Sequence, residues 1–276
     1  MNAILIIIRK EIRDGLRNRW VLAVTLLLAM FALSLGFLGS TPTGTVKVDP
    51  LTVTVVSLSS LSIFLVPLIA MLLSYDAIVG EIDRGTMNLL LSYPVARWQV
   101  IVGKFCGHLS ILALATTGGY GLAGIALQLA HGGLDFSAWT PFALLIAASI
   151  LLGAGFLSLG YLISTLVRER ATAAGIAIGV WLFLVVIYDM ALLGVLVADQ
   201  GRIITAPLLN ILLLLNPTDV YRLMNLTGYE NIAMFAGMAG LSQQAKLSMP
   251  TLLLAQLLWI AVPFALAALS FKRKSL

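Results

Sequence analysis

The chain has 276 residues, 60% of them hydrophobic and 11% charged, with a formal net charge of +5. A soluble domain averages about 25% charged residues, so a water-soluble globule is excluded for want of polar surface. The basic residues lie between apolar stretches, as membrane topology signals do rather than nucleic-acid contacts, and the single cysteine, Cys106, excludes an internal disulfide or a Cys-pair metal site.

Residues 1–19 are predicted to form an amphipathic helix. Ile4, Leu5, Ile8, Ile12 and Leu16 share one face of a helical wheel, and Lys10, Glu11, Arg13, Asp14 and Arg17 share the other. That pattern suits a helix lying in the membrane interface, with its cations toward the head groups. An apolar run follows at Trp20–Leu38, too long for the hydrophobic region of a signal peptide and therefore an uncleaved span. Five more runs, at 51–75, 105–130, 141–167, 171–188 and 251–271, are likewise free of Asp, Glu, Lys and Arg. Each can cross a ~30 Å hydrocarbon core as a helix, which satisfies its backbone polar groups internally. The expected fold is an all-α integral membrane protein: one domain over 1–276 with six transmembrane helices and an N-terminal interfacial helix.

The loop over 76–98 is the most informative stretch. The second span is predicted to continue as a stalk through Glu81, Ile82, Asp83 and Arg84, until Gly85 breaks it and Thr86 caps a new short helix. Met87, Leu89, Leu90 and Leu91 then form an apolar run that Pro94 ends. Such a cluster needs a cover, whether the lipid interface, a groove on a partner, or its own bundle. The small residues of spans three and four, among them Gly118, Gly119, Gly153 and Gly160, permit close helix packing or a hinge. A second loop carries Arg168, Glu169 and Arg170, which by themselves are a topology signal.

Asp189 is expected near the outer end of span five, in an interfacial, subunit-contact or transport role. The segment 198–250 is read as the one large part outside the spans. Its run 203–215 is too short to cross and is read as a periplasmic or re-entrant helix; helical pieces at 219–226 and 229–241 follow. Tyr221 and Arg222 suit an interface anchor. Met234 and Met238 share a helical face, and such thioethers either pack or bind Cu(I). With six spans and an inside N-terminus, 13 Lys and Arg residues are cytoplasmic and only Lys47, Arg202, Arg222 and Lys246 are outside. Both termini are therefore expected in the cytoplasm.

The sequence carries no recognisable catalytic motif. Gly103-Lys104 is followed by Phe105 and is no phosphate-binding loop; His108 and His131 stand alone and read as hydrogen-bonded structural residues. No enzyme activity and no bound cofactor are expected.

The loop residues Glu81, Gly85, Thr86, Leu90, Leu91, Pro94, Arg97 and Lys104 resemble the hallmark of the ABC-2 type permeases, membrane subunits of ATP-binding-cassette transporters. The amphipathic helix, the six spans and the segment between spans five and six extend that resemblance over the whole chain. It implies that residues 86–92 are a coupling helix, Leu89 and Leu90 among its residues, docking on a separate ATPase subunit that binds the ATP. It also implies that Arg168, Glu169 and Arg170 make a second contact, and that the permease is a homodimer in a bacterial inner membrane. The run LLNPTDVYRL at 214–223 narrows the resemblance to permeases serving copper-site assembly in nitrous oxide reductase. The implied partners are then a periplasmic protein, met through Tyr221, Arg222, Met234 and Met238, and a copper-carrying lipoprotein. Two other readings stand beside it: an exporter of a drug, lipid or polysaccharide, and an ion-coupled carrier with no ATPase.

Overall fold

The computed structural model describes residues 3–17, 19–38, 50–130, 139–199, 204–226 and 247–274. Met234, Met238, His131 and the predicted helix 229–241 lie outside the described residues.

Helix α1 (Ala3–Arg17) meets α2 (Trp20–Leu38) at a bend of 65°, with Arg19 in the left-handed region at φ 55°. Helix α3 (Pro50–Ser74) leads through a tight turn into α4 (Val79–Asp83), and α5 (Thr86–Leu91) follows Gly85. Two long helices come next, α6 (Arg97–Ala130) and α7 (Trp139–Leu166). A continuous run then joins α8 (Arg170–Leu182), a π-helical turn (Phe183–Ile187) and α9 (Tyr188–Asp199). Short helices α10 (Ala206–Leu214) and α11 (Pro217–Leu226) precede α12 (Met249–Arg273). Five helices are long and apolar enough to cross a membrane alone, and the bent α1–α2 pair brings the number to six. The six expected spans are thereby accounted for. Both described chain ends lie at one end of the bundle, called here the basic end.

The core forms where α3, α6, α7 and α12 meet, and small residues let it close. A Cβ at Gly119 would stand 2.7 Å from the Leu28 Cβ, and one at Gly160 would overlap the Ser74 hydroxyl. In lipid, where apolar surface gains little from association, such close packing supplies the attraction. These glycines are packing residues of the bundle. The Arg170–Asp199 run is the most peripheral span.

Three elements depart from expectation. Helix α1 has its tightest contact with α6 rather than with lipid alone: Ile7 and Glu11 are buried, and a Cβ at Gly107 would lie 2.6 Å from the Glu11 Cβ. Glu11, placed by periodicity on the polar face, is therefore an inward residue. Span five runs to Asp199, so Asp189 sits ten residues inside its helix instead of at the outer end. Helix α11 does not lie on an outer surface: it is tucked among α3, α7 and α12, with Asn216, Thr218, Val220 and Tyr221 wholly buried, while α10 packs on α11 and leaves Ile211 and Leu215 exposed.

Candidate functional site

The loop after the second span is fixed by three locks. The first satisfies the start of α4. The backbone N–H groups of Ile78 and Val79 both donate to the Ser164 Oγ of α7 at 3.0 Å, since the opening amides of a helix lack intrahelical partners. The second is a buried ion cluster. Lys104 Nζ lies 2.7 Å from Glu81 Oε1 and 2.9 Å from Glu11 Oε1, joining α4, α6 and α1. Lys10 backs both carboxylates at 3.5 and 3.1 Å. His108 approaches Glu11 Oε2 at 3.4 Å through Nε2 and pairs its Nδ1 with the Tyr161 hydroxyl at 2.9 Å. Burial alone would raise the Glu11 carboxyl, but the hydrogen bond with His108 and the charge of Lys104 outweigh it. The net result holds Glu11 well below the usual carboxylate range.

The third lock is at the chain's end. Arg97 Nη1 donates to the carbonyls of Phe271, Lys272 and Lys274 at 3.1, 3.2 and 2.6 Å. A cation there suits the negative end of a helix dipole and its unpaired carbonyls. Lys274 in turn donates to Thr165 O and Val167 O at the end of α7. Arg170 closes the frame with an ion pair to Asp76 at 2.9 Å.

Helix α5 stands on this frame. Gly85 has φ 71°, a conformation costly for any residue with a Cβ, and so turns the chain sharply after α4. Thr86 does not cap α5. Its hydroxyl donates backward to Glu81 O at 3.1 Å, and Gly85 occupies the cap position. Met87 is fully buried, Leu90 and Leu91 pack partly against the core, and Leu89 is 66% exposed. Tyr93 and Trp98 are exposed beside it at 64% and 57%. The apolar run is thus divided between the chain's own bundle and an outward face of Leu89, Tyr93 and Trp98. Pro94 is exposed between them.

A second polar centre lies deep in the bundle. Arg222 bridges Asp189 on span five at 2.5 Å and Asp219 on its own helix at 2.6 Å. Asn216 donates to Asp189, Asp219 and the Leu184 carbonyl at 3.3, 3.1 and 3.0 Å, and the Thr218 hydroxyl also reaches Leu184 O. Leu184 belongs to the π-helical turn, where altered spacing of backbone bonds leaves carbonyls for side-chain donors. Trp259 Nε1 donates to Leu214 O, and the Tyr221 hydroxyl pairs with Ser149 Oγ at 3.1 Å. Asp189, Trp259 and Ser149 each lie ten residues from the end of their helix opposite the basic end. That is a depth of about 15 Å at 1.5 Å per residue, half of a hydrocarbon core.

Several sequence-predicted site residues are therefore engaged within the chain. Glu81 and Arg97, expected at a partner surface, are held by Lys104 and by the α12 carbonyls. Leu90 packs inward. Tyr221, expected to touch a periplasmic partner, has no exposed surface, because α11 is buried to mid-depth. Arg222 is not outside the membrane core but balances two carboxylates within it. Gly85, Thr86, Leu89, Pro94, Arg168, Glu169 and Arg170 remain at the exposed edge of the basic end. Sequence reasoning missed Tyr93 and Trp98, whose aromatic rings beside a leucine run on a loop were the available signal. It also missed the pairing of Glu11 with Lys104, which local periodicity carries no sign of.

A model of the family described as ABC-2 family transporter protein matches residues 5–276. The chain is 44% identical over 275 residues to the Probable ABC transporter permease protein NosY of Stutzerimonas stutzeri, covering 99% of each. It is 45% identical over 269 residues to the protein of the same name from Pseudomonas aeruginosa, covering 97% of each.

Proposed function

Since the chain belongs to the ABC-2 transporter family, as a membrane-spanning permease subunit, we propose that it carries the work of a separate ATPase into copper-site assembly of nitrous oxide reductase. The basic end is cytoplasmic and the membrane is the bacterial inner membrane. A NosF-like ATPase binds ATP and seats on α5, and Arg168, Glu169 and Arg170 form a second contact. The permease acts as a homodimer, for which the little-buried Arg170–Asp199 span offers apolar surface. A NosD-like periplasmic protein and a NosL-like copper lipoprotein meet the opposite face. Met234 and Met238 belong to that contact, and Tyr221 shapes it from beneath through α11. Copper and sulfur species are cargo of the assembly, and no cofactor is held by this chain.

The observation that supports this reading best is the contrast within α5: a buried Met87 foot and an exposed Leu89, on a stalk tied to α1, α6 and α7. A push on Leu89 from outside reaches three helices through short polar contacts, as a transmitter requires. Two measurements test it. Leu89→Asp puts a charge on the seat, at a cost of several kcal/mol to an apolar interface. The expected outcome is a normally inserted permease that no longer co-purifies with its ATPase; unchanged co-purification refutes the seat. In a strain lacking the permease, nitrous oxide reductase is expected to be made and exported but poor in copper by metal analysis. A fully loaded, active reductase would instead favour the general exporter.

A further inference from the structure

At the basic end a cleft of about 1050 Å³ opens between the stalk α4 and the ends of α7 and α12. One wall is apolar, with Leu162, Leu266 and Leu269, and the rim carries Arg168, Arg273 and Lys274. No ion pair links any of these three cations to a carboxylate among the described residues. Lys274 is pushed below the usual lysine range by burial and then by the Arg168 charge, so the rim lacks a counter-charge.

We propose that this cleft is a binding site for an anionic phospholipid, with its phosphate between Arg273 and Lys274, beside the Arg168 of the ATPase contact, and an acyl chain along Leu162, Leu266 and Leu269. The shape selects this occupant. Leu266 lies seven residues before Arg273 on α12, so the apolar wall extends about 10 Å along the helix from the cations, into the hydrocarbon layer. A soluble protein can meet the rim but not that wall. A free phosphate has no use for it. A molecule with a charged head and an apolar tail satisfies both, and basic pockets between helix ends are suited to acidic head groups. Ile82 of the stalk also lines the cleft, so the lipid packs against the element that carries α5.

The test uses the full permease with its ATPase in nanodiscs, with a phosphatidylglycerol probe carrying a photoreactive group on the acyl chain. Labelling is expected at Leu266 and Leu269, and unlabelled phosphatidylglycerol should compete while phosphatidylcholine and inorganic phosphate should not. Arg273→Gln removes one rim charge, worth about fivefold in this competition, and Arg273→Lys should restore it. If Arg273→Gln does not fold, the head-group competition on the unaltered protein decides alone. Equal competition by phosphatidylcholine overturns the proposal. Competition by inorganic phosphate marks a free-anion site instead, and labelling that appears only when the ATPase is removed marks the cleft as a protein contact.

Discussion

Two clusters of charge anchor short helices to this bundle, and they are built on different plans. At the basic end Lys104 joins Glu11 and Glu81, and Lys10 lies within 3.5 Å of both carboxylates from a half-exposed position. At mid-depth Arg222 alone stands between Asp189 and Asp219. The first has two cations for its two carboxylates, with the half-exposed Lys10 in reserve. The second has one cation for two carboxylates, about 15 Å from the helix ends. Desolvated ions attract strongly when paired and are costly when a partner is lost. The shallow cluster should therefore tolerate damage that the deep one does not.

The largest effect is expected from Arg222→Met. It leaves Asp189 and Asp219 without a cation and should cost about 3–5 kcal/mol, a fall of roughly 10 °C in Tm in detergent. Asp219→Asn, which keeps the Arg222–Asp189 pair, should be far milder. An unchanged Tm for Arg222→Met would break the comparison.

Lys104→Met comes next. Lys10 still neutralises Glu11 and Glu81 in part, so the loss should be about 2 kcal/mol, the scale of a charge-assisted hydrogen bond. Removing Lys10 as well should raise the cost to that of the deep cluster. If the single Lys104 variant is already as unstable as Arg222→Met, the spare cation does nothing and the two plans are one.

The smallest effect is in pH. The Glu11 carboxyl is held below its ordinary value of 4.5 in the fold, so the unfolded chain takes up this proton first as pH falls. The contribution of Glu11 is complete above about pH 4.5 and is lost progressively as pH drops toward its folded value. Thermal unfolding should show an acid limb below that point that is shallower in Glu11→Gln. An equal limb in both proteins assigns the acid sensitivity elsewhere.

Much of the loop over 76–98 was legible in the sequence because its signals are local. Gly85 breaks the stalk and Pro94 ends the apolar run through their own backbone preferences. That 203–215 is too short to span followed from length, and Asn216, Asp219 and Arg222 were present in the run that carried the narrower resemblance. Their depth was not legible. An Asp and an Arg three residues apart read as the polar face of a surface helix unless a third group, Asp189, is known to meet them from another helix.

What the sequence alone determined is the number of spans, the segregation of basic residues, the amphipathic first helix and the break at Gly85. All follow from run length, period or the backbone of single residues. Tertiary structure decided that Glu11 faces inward, that Arg97 caps α12, that Leu89 is exposed while Leu90 packs partly against the core, and that Tyr221 is interior. The reason is physical. In a membrane helix the lipid-facing and bundle-facing sides are both apolar, so hydropathy cannot tell them apart. The polar groups that do distinguish them find partners far along the chain, 93 residues away for Glu11 and Lys104 and 33 for Asp189 and Arg222. Only the packed helices bring those partners within reach of a hydrogen bond.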